Sequence, residues 1–270
     1  MSLEQIKHRG MVLLGCGKMG SAMLSGWLSG GLSPRSVWVL DPYPSDWLVS
    51  TGVHVNAGLP DDPALALIAV KPQMMGEALP SMQALGNGAT VFLSVAAGTS
   101  IATFEDAFGT SSPIIRAMPN TPAAIGRGIS AIVGNAHATA DHMDMAETLL
   151  QAVGQVVRLD AEDQIDTVTG VSGSGPAYVF HLIEALAAAG EAEGLSPELS
   201  MTLAKATVGG AGQLAEDADE SPAQLRVNVT SPNGTTQAAL DVLMGEDGGL
   251  SKMMIATARA AFARAKELGS

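Results

Sequence analysis

Met11-Val12-Leu13-Leu14-Gly15-Cys16-Gly17-Lys18-Met19-Gly20 decides the fold class. Four apolar residues run straight into a G-x-G-x-x-G turn, and the segment from Met19 to Ser29 then reads as a helix. Strand, glycine-rich turn and helix in that order make a dinucleotide-binding unit. Gly15 permits the tight turn, Gly17 lets backbone approach a pyrophosphate, and Gly20 lets helix and strand pack closely. The helix start offers unpaired N–H groups to phosphate. Cys16 is the single cysteine of the chain. It has two readings here: a reactive thiol, or a small apolar residue filling the turn, which is how buried cysteine commonly behaves.

Working outward, the first half alternates short apolar runs with helical stretches. The expected strands are Met11–Gly15, Val37–Asp41, Val53–Val55, Ala66–Val70, Thr90–Val95, Pro113–Met118 and Ile129–Val133. Apolar strands separated by helices predict a parallel sheet covered on both faces. Right-handed crossovers make it a doubly wound, Rossmann-type α/β sheet. Beyond Asp160 the strand-like runs stop. Ala177 to Glu193, Pro197 to Glu216, Pro222 to Val229, Thr235 to Gly245 and Leu250 to Leu268 are expected helices. Ser196-Pro197, Ser221-Pro222 and Ser231-Pro232 supply helix-entry signals. The expected organisation is a sheet domain over residues 1–160 and an all-α domain over residues 161–270. Small residues cluster on the helices, among them Ala185, Ala187, Ala188, Ala189, Gly209, Gly210 and Gly212. They predict close helix packing, within one domain or, as favoured here, in an interdigitated dimer.

Composition narrows the function classes. The 270 residues include 42 Ala and 31 Gly, and the formal net charge is −13. Nucleic-acid binding needs clustered Lys and Arg, so nucleic acid is excluded as the main partner. A small anion held by backbone N–H groups is not excluded. No stretch approaches the ~20 mostly apolar residues of a membrane span, and the N-terminus lacks a signal-peptide pattern. A lone cysteine excludes an internal disulfide and a Cys-based zinc site. The expected location is cytoplasmic. No histidine pair has metal-ligand spacing, so no metal is expected, and no G-x-S-x-G or Walker pattern occurs.

Further motifs lie where an open α/β sheet binds ligands, at the carboxyl ends of its strands. Asp41 closes the second strand, 21 residues after Gly20. It either accepts hydrogen bonds from an adenosine ribose, favouring NAD over NADP, or caps the turn before Pro42. Ala69-Val70-Lys71-Pro72-Gln73 and Val95-Ala96-Ala97-Gly98 end the fourth and fifth strands. Lys71 is a catalytic ammonium or a surface charge, and the segment's backbone suits a positioning role. Arg116-Ala117-Met118-Pro119-Asn120-Thr121-Pro122 is a stiff loop, either the wall of a site or a rigid linker. In the helical half, Ser172-Gly173-Ser174-Gly175-Pro176-Ala177 and Thr230-Ser231-Pro232-Asn233-Gly234-Thr235-Thr236 place hydroxyls and N–H groups at helix starts. Capping needs one Ser or Thr, and this density suits carboxylate binding.

In combination these segments resemble the pyrroline-5-carboxylate reductase family, from about Met11 to Leu268. The most specific parts are Asp166–Phe180 (DTVTGVSGSGPAYVF) and Leu225–Leu240 (LRVNVTSPNGTTQAAL). Lys71-Pro72-Gln73 and Met118–Ala123 (MPNTPA) agree. The resemblance implies reduction of 1-pyrroline-5-carboxylate to L-proline by NADPH or NADH. It implies a Rossmann domain followed by a helical domain that intertwines with a second subunit as a homodimer or a higher oligomer, with the active site where the domains meet across that dimer. It assigns cofactor contacts to Gly15, Cys16, Gly17, Lys18, Met19, Gly20, Asp41, Asn56, Ala69, Val70, Lys71, Pro72, Val95, Ala96 and Ala97. Substrate contacts fall on Glu162, Asn228, Ser231, Thr235 and Thr236, with Thr236 as the catalytic residue at the ring nitrogen. Two positions depart from the family pattern. Asn233 stands where glycine is frequent, and Asn tolerates a left-handed turn. Asp41 stands where Ser, Asn or Arg is frequent, which leaves NADPH against NADH open. A β-hydroxyacid dehydrogenase is the alternative enzyme, but it needs a catalytic lysine in the helical half, and Lys205 has no accompanying Asn. A non-catalytic dinucleotide-binding regulator would need neither Ser/Thr/Gly segment.

Overall fold

The structure, a computed structural model, describes residues 3–268. It divides into two units: one reaches to Gly173 and takes in the chain from Ala261 onward, and the other is Ser174–Ala260.

The first unit is built on an eight-stranded sheet of β1 (Met11–Leu14), β2 (Val37–Leu40), β3 (His54–Val55), β4 (Leu65–Ile68), β5 (Val91–Ser94), β6 (Ile114–Met118), β7 (Gly128–Gly134) and β8 (Gly154–Arg158). Its order is β3-β2-β1-β4-β5-β6-β7-β8. The helices of this unit are α1 (Leu3–Arg9), α2 (Lys18–Ser29), α3 (Asp46–Ser50), α4 (Met75–Ala78), α5 (Ile101–Phe108), α6 (Ala140–Gln151) and α7 (Gln164–Val168). The period-2 alternation of β1 explains the layering. Met11 and Leu13 enter one apolar layer with Met23, Leu24 and Trp27 of α2. Val12 and Leu14 enter the other with Met82, Phe92 and Phe104. A strand buried on both faces must be apolar throughout, as β1 is. Trp27 Nε1 donates to Leu149 O at 2.8 Å and ties α2 to α6. All seven expected strands form. Their order reverses direction between β1 and β4, the crevice where such sheets take nucleotides.

Two features differ from expectation. β6 and β7 pair antiparallel, while the other neighbouring pairs are parallel. Residues 119–127 between β6 and β7 hold only a 3-10 turn, Thr121–Ile125, too short for the crossover that a parallel pair requires. β8 was not among the expected strands. It is an edge strand whose residues are mostly exposed, so it lacks the apolar run that marks the central ones.

The division after Gly173 falls later than 160/161 because α7 packs with the sheet. Ile165 is buried in the second apolar layer, and Glu162 and Asp166 face Arg116 of β6.

The second unit holds α8 (Gly175–Ala192), α9 (Pro197–Asp217), α10 (Pro222–Asn228) and α11 (Thr235–Leu243), and α12 (Leu250–Leu268) runs from it into the first. Ser196 and Ser221 cap α9 and α10, accepting from Leu199 N at 3.3 Å and Gln224 N at 3.2 Å. Ser231-Pro232 does not start a helix; α11 begins after Gly234. The 172–177 segment is helical from its start, and Ser174 opens α8 without a side-chain cap. A π-helical turn, Thr169–Gly173, continues α7 toward α8, and Ser172 Oγ turns back onto Val168 O at 3.2 Å. α8 and α9 approach closely: a Cβ at Gly190 would lie 2.9 Å from Ser200 Oγ. This unit buries small residues, Ala187, Ser200 and Ala204, and leaves Phe180, Leu186, Leu203 and Val242 exposed.

Candidate active site

The three glycines of the turn after β1 answer to different demands. Gly15 has φ +86°, and a Cβ there would lie 2.7 Å from Val70 Cγ1. A Cβ at Gly20 would overlap the Gly15 carbonyl oxygen. Both positions are closed by the chain's own packing. Gly17 has an ordinary φ of −71°, and nothing lies within 4 Å of where its Cβ would be. Gly17 is also the N-cap of α2, with no side chain capping the helix. Open space over an uncapped helix start suits a pyrophosphate, and it gives a glycine at 17 a purpose that folding does not. Lys18 and Met19 form the first turn of α2.

Asp41 is fixed from several directions. Its Oδ2 accepts from Cys16 N at 2.6 Å and its Oδ1 from Tyr43 N at 2.8 Å. Its own peptide exchanges two bonds with the Asn56 side chain: Asp41 N donates to Asn56 Oδ1 at 3.0 Å, and Asn56 Nδ2 donates to Asp41 O at 2.8 Å. Asn56 itself sits at φ +51°, where Asn is among the tolerated residues. The acid therefore both caps the turn before Pro42 and locks the glycine-rich turn. At the end of β4, Ala69 and Val70 are half-buried, and Lys71 and Pro72 are exposed at the start of a 3-10 turn. After β5, Ala96 N donates to Ser94 Oγ at 3.3 Å, with Val95 half-buried and Ala97 exposed. All the residues assigned to the cofactor thus gather along the carboxyl edge of β1 to β5.

Cys16 is half-buried, and burial followed by the charge of Asp41 pushes its thiol up to about 11. Only the thiolate is nucleophilic, so the thiol is inert at neutral pH. Iodoacetamide at pH 7.5 is expected to leave the native chain unmodified by intact mass and to label it once unfolded. Labelling of the native chain is expected to quicken steadily as the pH is raised while staying slower than that of the unfolded chain. Rapid native labelling at pH 7.5 would contradict this reading.

Glu162 has a structural task. Its Oε1 accepts from Arg116 Nη1 at 2.9 Å and from Ile101 N, at the start of α5, at 2.8 Å. Arg116 is nearly fully buried and also lies 3.8 Å from Asp166 Oδ1. The sequence places Arg116 in the sixth strand, at the start of the stiff loop, and gives it no task of its own. The signal for more was an arginine inside an otherwise apolar strand. In the same loop, Asn120 accepts from Ile129 N at 2.9 Å and donates to Ser172 O at 3.2 Å, which holds the loop rigid.

In the second unit, Asn228 ends α10, Ser231 lies on the turn that follows, and Thr235 and Thr236 open α11. Asn228 Oδ1 accepts from Gln224 Nε2 at 2.8 Å. Asn233 is left-handed at φ +57°. A Cβ at Gly234 would overlap Ser231 Oγ. Gly234 caps α11 without a side-chain bond, so the N–H groups of Thr235 and Thr236 open a helix with three hydroxyls beside them.

Comparison with known proteins finds relatives over nearly the whole length of the chain. A family model described as pyrroline-5-carboxylate reductase dimerisation matches residues 162–268. The chain is 39% identical over 267 residues to the pyrroline-5-carboxylate reductase of Synechocystis sp., covering 95% of this chain and 97% of that one. A pyrroline-5-carboxylate reductase structure from Coxiella burnetii matches with a TM-score of 0.88 at 32% identity, covering 97% of this chain and 99% of that one. A pyrroline carboxylate reductase from Plasmodium falciparum with NADP bound matches with a TM-score of 0.83 at 26% identity, covering 98% and 99%. Identity of this degree over nearly the whole length places the chain in the pyrroline-5-carboxylate reductase family.

Proposed function

We propose that the chain reduces 1-pyrroline-5-carboxylate to L-proline with NADPH or NADH, the last step of proline synthesis. The observation that carries this reading is the uncapped start of α11 after Gly234, with Ser231, Thr235 and Thr236 around it. The substrate is a cyclic imine bearing a carboxylate. Helix-start N–H groups and the hydroxyls of Ser231 and Thr235 suit the carboxylate. The Thr236 hydroxyl suits the ring nitrogen, whose protonated form makes the imine carbon more electrophilic. The dinucleotide supplies the hydride when bound. The residues of this chain bind and orient, and positioning two reactants lowers a barrier without a strong general base.

In this reading the first unit binds the dinucleotide and the second binds substrate and a second copy of the chain. The exposed Phe180, Leu186, Leu203 and Val242 of the second unit support self-association, because large apolar side chains gain by leaving water. Among the described residues no helix is long and apolar enough to cross a membrane. A cytoplasmic location, where a lone cysteine stays reduced, completes the reading.

Thr236→Ala tests the assignment. Loss of one hydrogen bond to a charged nitrogen is expected to lower turnover roughly ten- to a hundredfold. Dinucleotide affinity should stay unchanged. Unaltered turnover removes Thr236 from the site, and no oxidation of either dinucleotide by wild-type protein with pyrroline-5-carboxylate overturns the function.

A further inference from the structure

Beyond the ends of β1 and β2 lies a cavity of about 300 Å³, lined by Leu40, Asp41, Asn56, Val70, Met74 and Glu77 among others. Its charged lining residues are the two acids Asp41 and Glu77, and no Lys or Arg lines it. Lys18 and Arg35 are the cations nearest Asp41 in sequence apart from those beyond residue 70, and neither lines the cavity.

The Asp41 carboxylate is presented in one orientation. The N–H groups of Cys16 and Tyr43 each use one position on separate oxygens, and the Asn56 side chain clamps the peptide that carries it. A carboxylate oxygen has two acceptor positions, so each oxygen keeps one. Two fixed acceptors side by side suit two neighbouring hydroxyls, as on an unmodified ribose. A phosphate monoester in place of a hydroxyl brings up to two negative charges and no donor. Glu77, which also lines the cavity, adds a second repulsion. Resting on the reductase reading above, we infer that Asp41, backed by Glu77, selects the dinucleotide with a free 2′-hydroxyl, so that this chain prefers NADH to NADPH.

The test is equilibrium binding to the whole protein by titration calorimetry, without substrate. The probes are NADH, NADPH and the fragments 5′-ADP and 2′,5′-ADP. Wild-type protein is expected to bind NADH at least about tenfold more tightly than NADPH, with the same order for the fragments. Asp41→Asn removes the charge and keeps one acceptor oxygen, and is expected to bring the two affinities within about threefold. Glu77→Gln, at an exposed side chain, is expected to tighten NADPH binding more than NADH binding, narrowing the ratio of the two affinities by roughly two- to fivefold. Should Asp41→Asn fail to fold, the wild-type ratio and Glu77→Gln decide the matter. Equal wild-type affinities, or a preference for NADPH, overturn the inference. Turnover of pyrroline-5-carboxylate with either dinucleotide is measured in parallel. It tests the reductase reading on its own, so the two failures are distinct.

Discussion

Gly17→Ala is expected to fold normally and lose the dinucleotide, whereas Gly20→Ala is expected to lose the fold's stability first. A methyl at 17 meets no protein atom within 4 Å, and φ −71° suits alanine. The stability change is then limited to exchanging one N-cap residue for a poorer one, at most about 1 kcal/mol. That methyl would occupy the space in front of the α2 N-terminus, so dinucleotide affinity should fall at least about tenfold, or ~1.4 kcal/mol. A methyl at 20 runs into the Gly15 carbonyl oxygen and lies 3.6 Å from Ala69 Cβ. Backbone cannot yield there as a flexible side chain would, and overpacking of this kind costs about 1–3 kcal/mol. Thermal unfolding and a fluorescence titration with NADH on both variants separate the effects. Wild-type affinity in Gly17→Ala would mean that the turn does not bind the pyrophosphate. An unshifted melting temperature in Gly20→Ala would mean that α2 does not need its close approach to β1.

The same glycines show what a sequence can disclose. G-x-G-x-x-G after an apolar strand specified the turn, the helix and the class of ligand, because each glycine has a backbone reason. The strands β1, β4 and β5 were legible because both faces are buried and their residues are apolar apart from Ser94 at the end of β5. β8 was not, because an exposed edge strand obeys no such rule. The reversal at β7 was in principle legible from the short β6–β7 link, which cannot hold a crossover. At the site, Asp41 and Asn56 are 15 residues apart, and no periodicity pairs them. Their reciprocal bonds exist because β2 and β3 are neighbours in the sheet. The left-handed turn at Asn233 was legible, since Asn is one of the few residues suited to it. The continuation of α7 through a π turn was not, because Ser and Gly in a row read as a loop until the hydroxyls fold back on the helix.

The ion pair between Arg116 and Glu162 should respond unequally to loss of either partner. Arg116 has 7% of its side chain exposed, against 32% for Glu162 and 22% for Asp166. Removing Glu162, as in Glu162→Leu, leaves a guanidinium that cannot discard its proton. Asp166 at 3.8 Å is then its remaining charged neighbour of the pair of acids. The same change deprives Ile101 N, at the start of α5, of its acceptor. A buried charge stranded in this way costs about 3–5 kcal/mol. Arg116→Met replaces the buried partner with an apolar side chain of similar length. The two acids left behind are partly exposed and can turn toward water, so a smaller loss of about 1–3 kcal/mol is expected. The double variant should lose less than the sum of the two, since each single change includes the penalty of an abandoned partner. Urea unfolding at one fixed protein concentration measures all three, because self-association makes stability depend on concentration. If Arg116→Met is the more damaging single change, the stranded guanidinium is not the dominant cost. Glu162→Gln then separates holding from binding: it keeps an oxygen for Ile101 N and Arg116 and removes the charge. A raised substrate KM with little loss of stability would assign Glu162 to the substrate. A loss of stability at unchanged KM would assign it to holding α5, β6 and the approach to α7 in place.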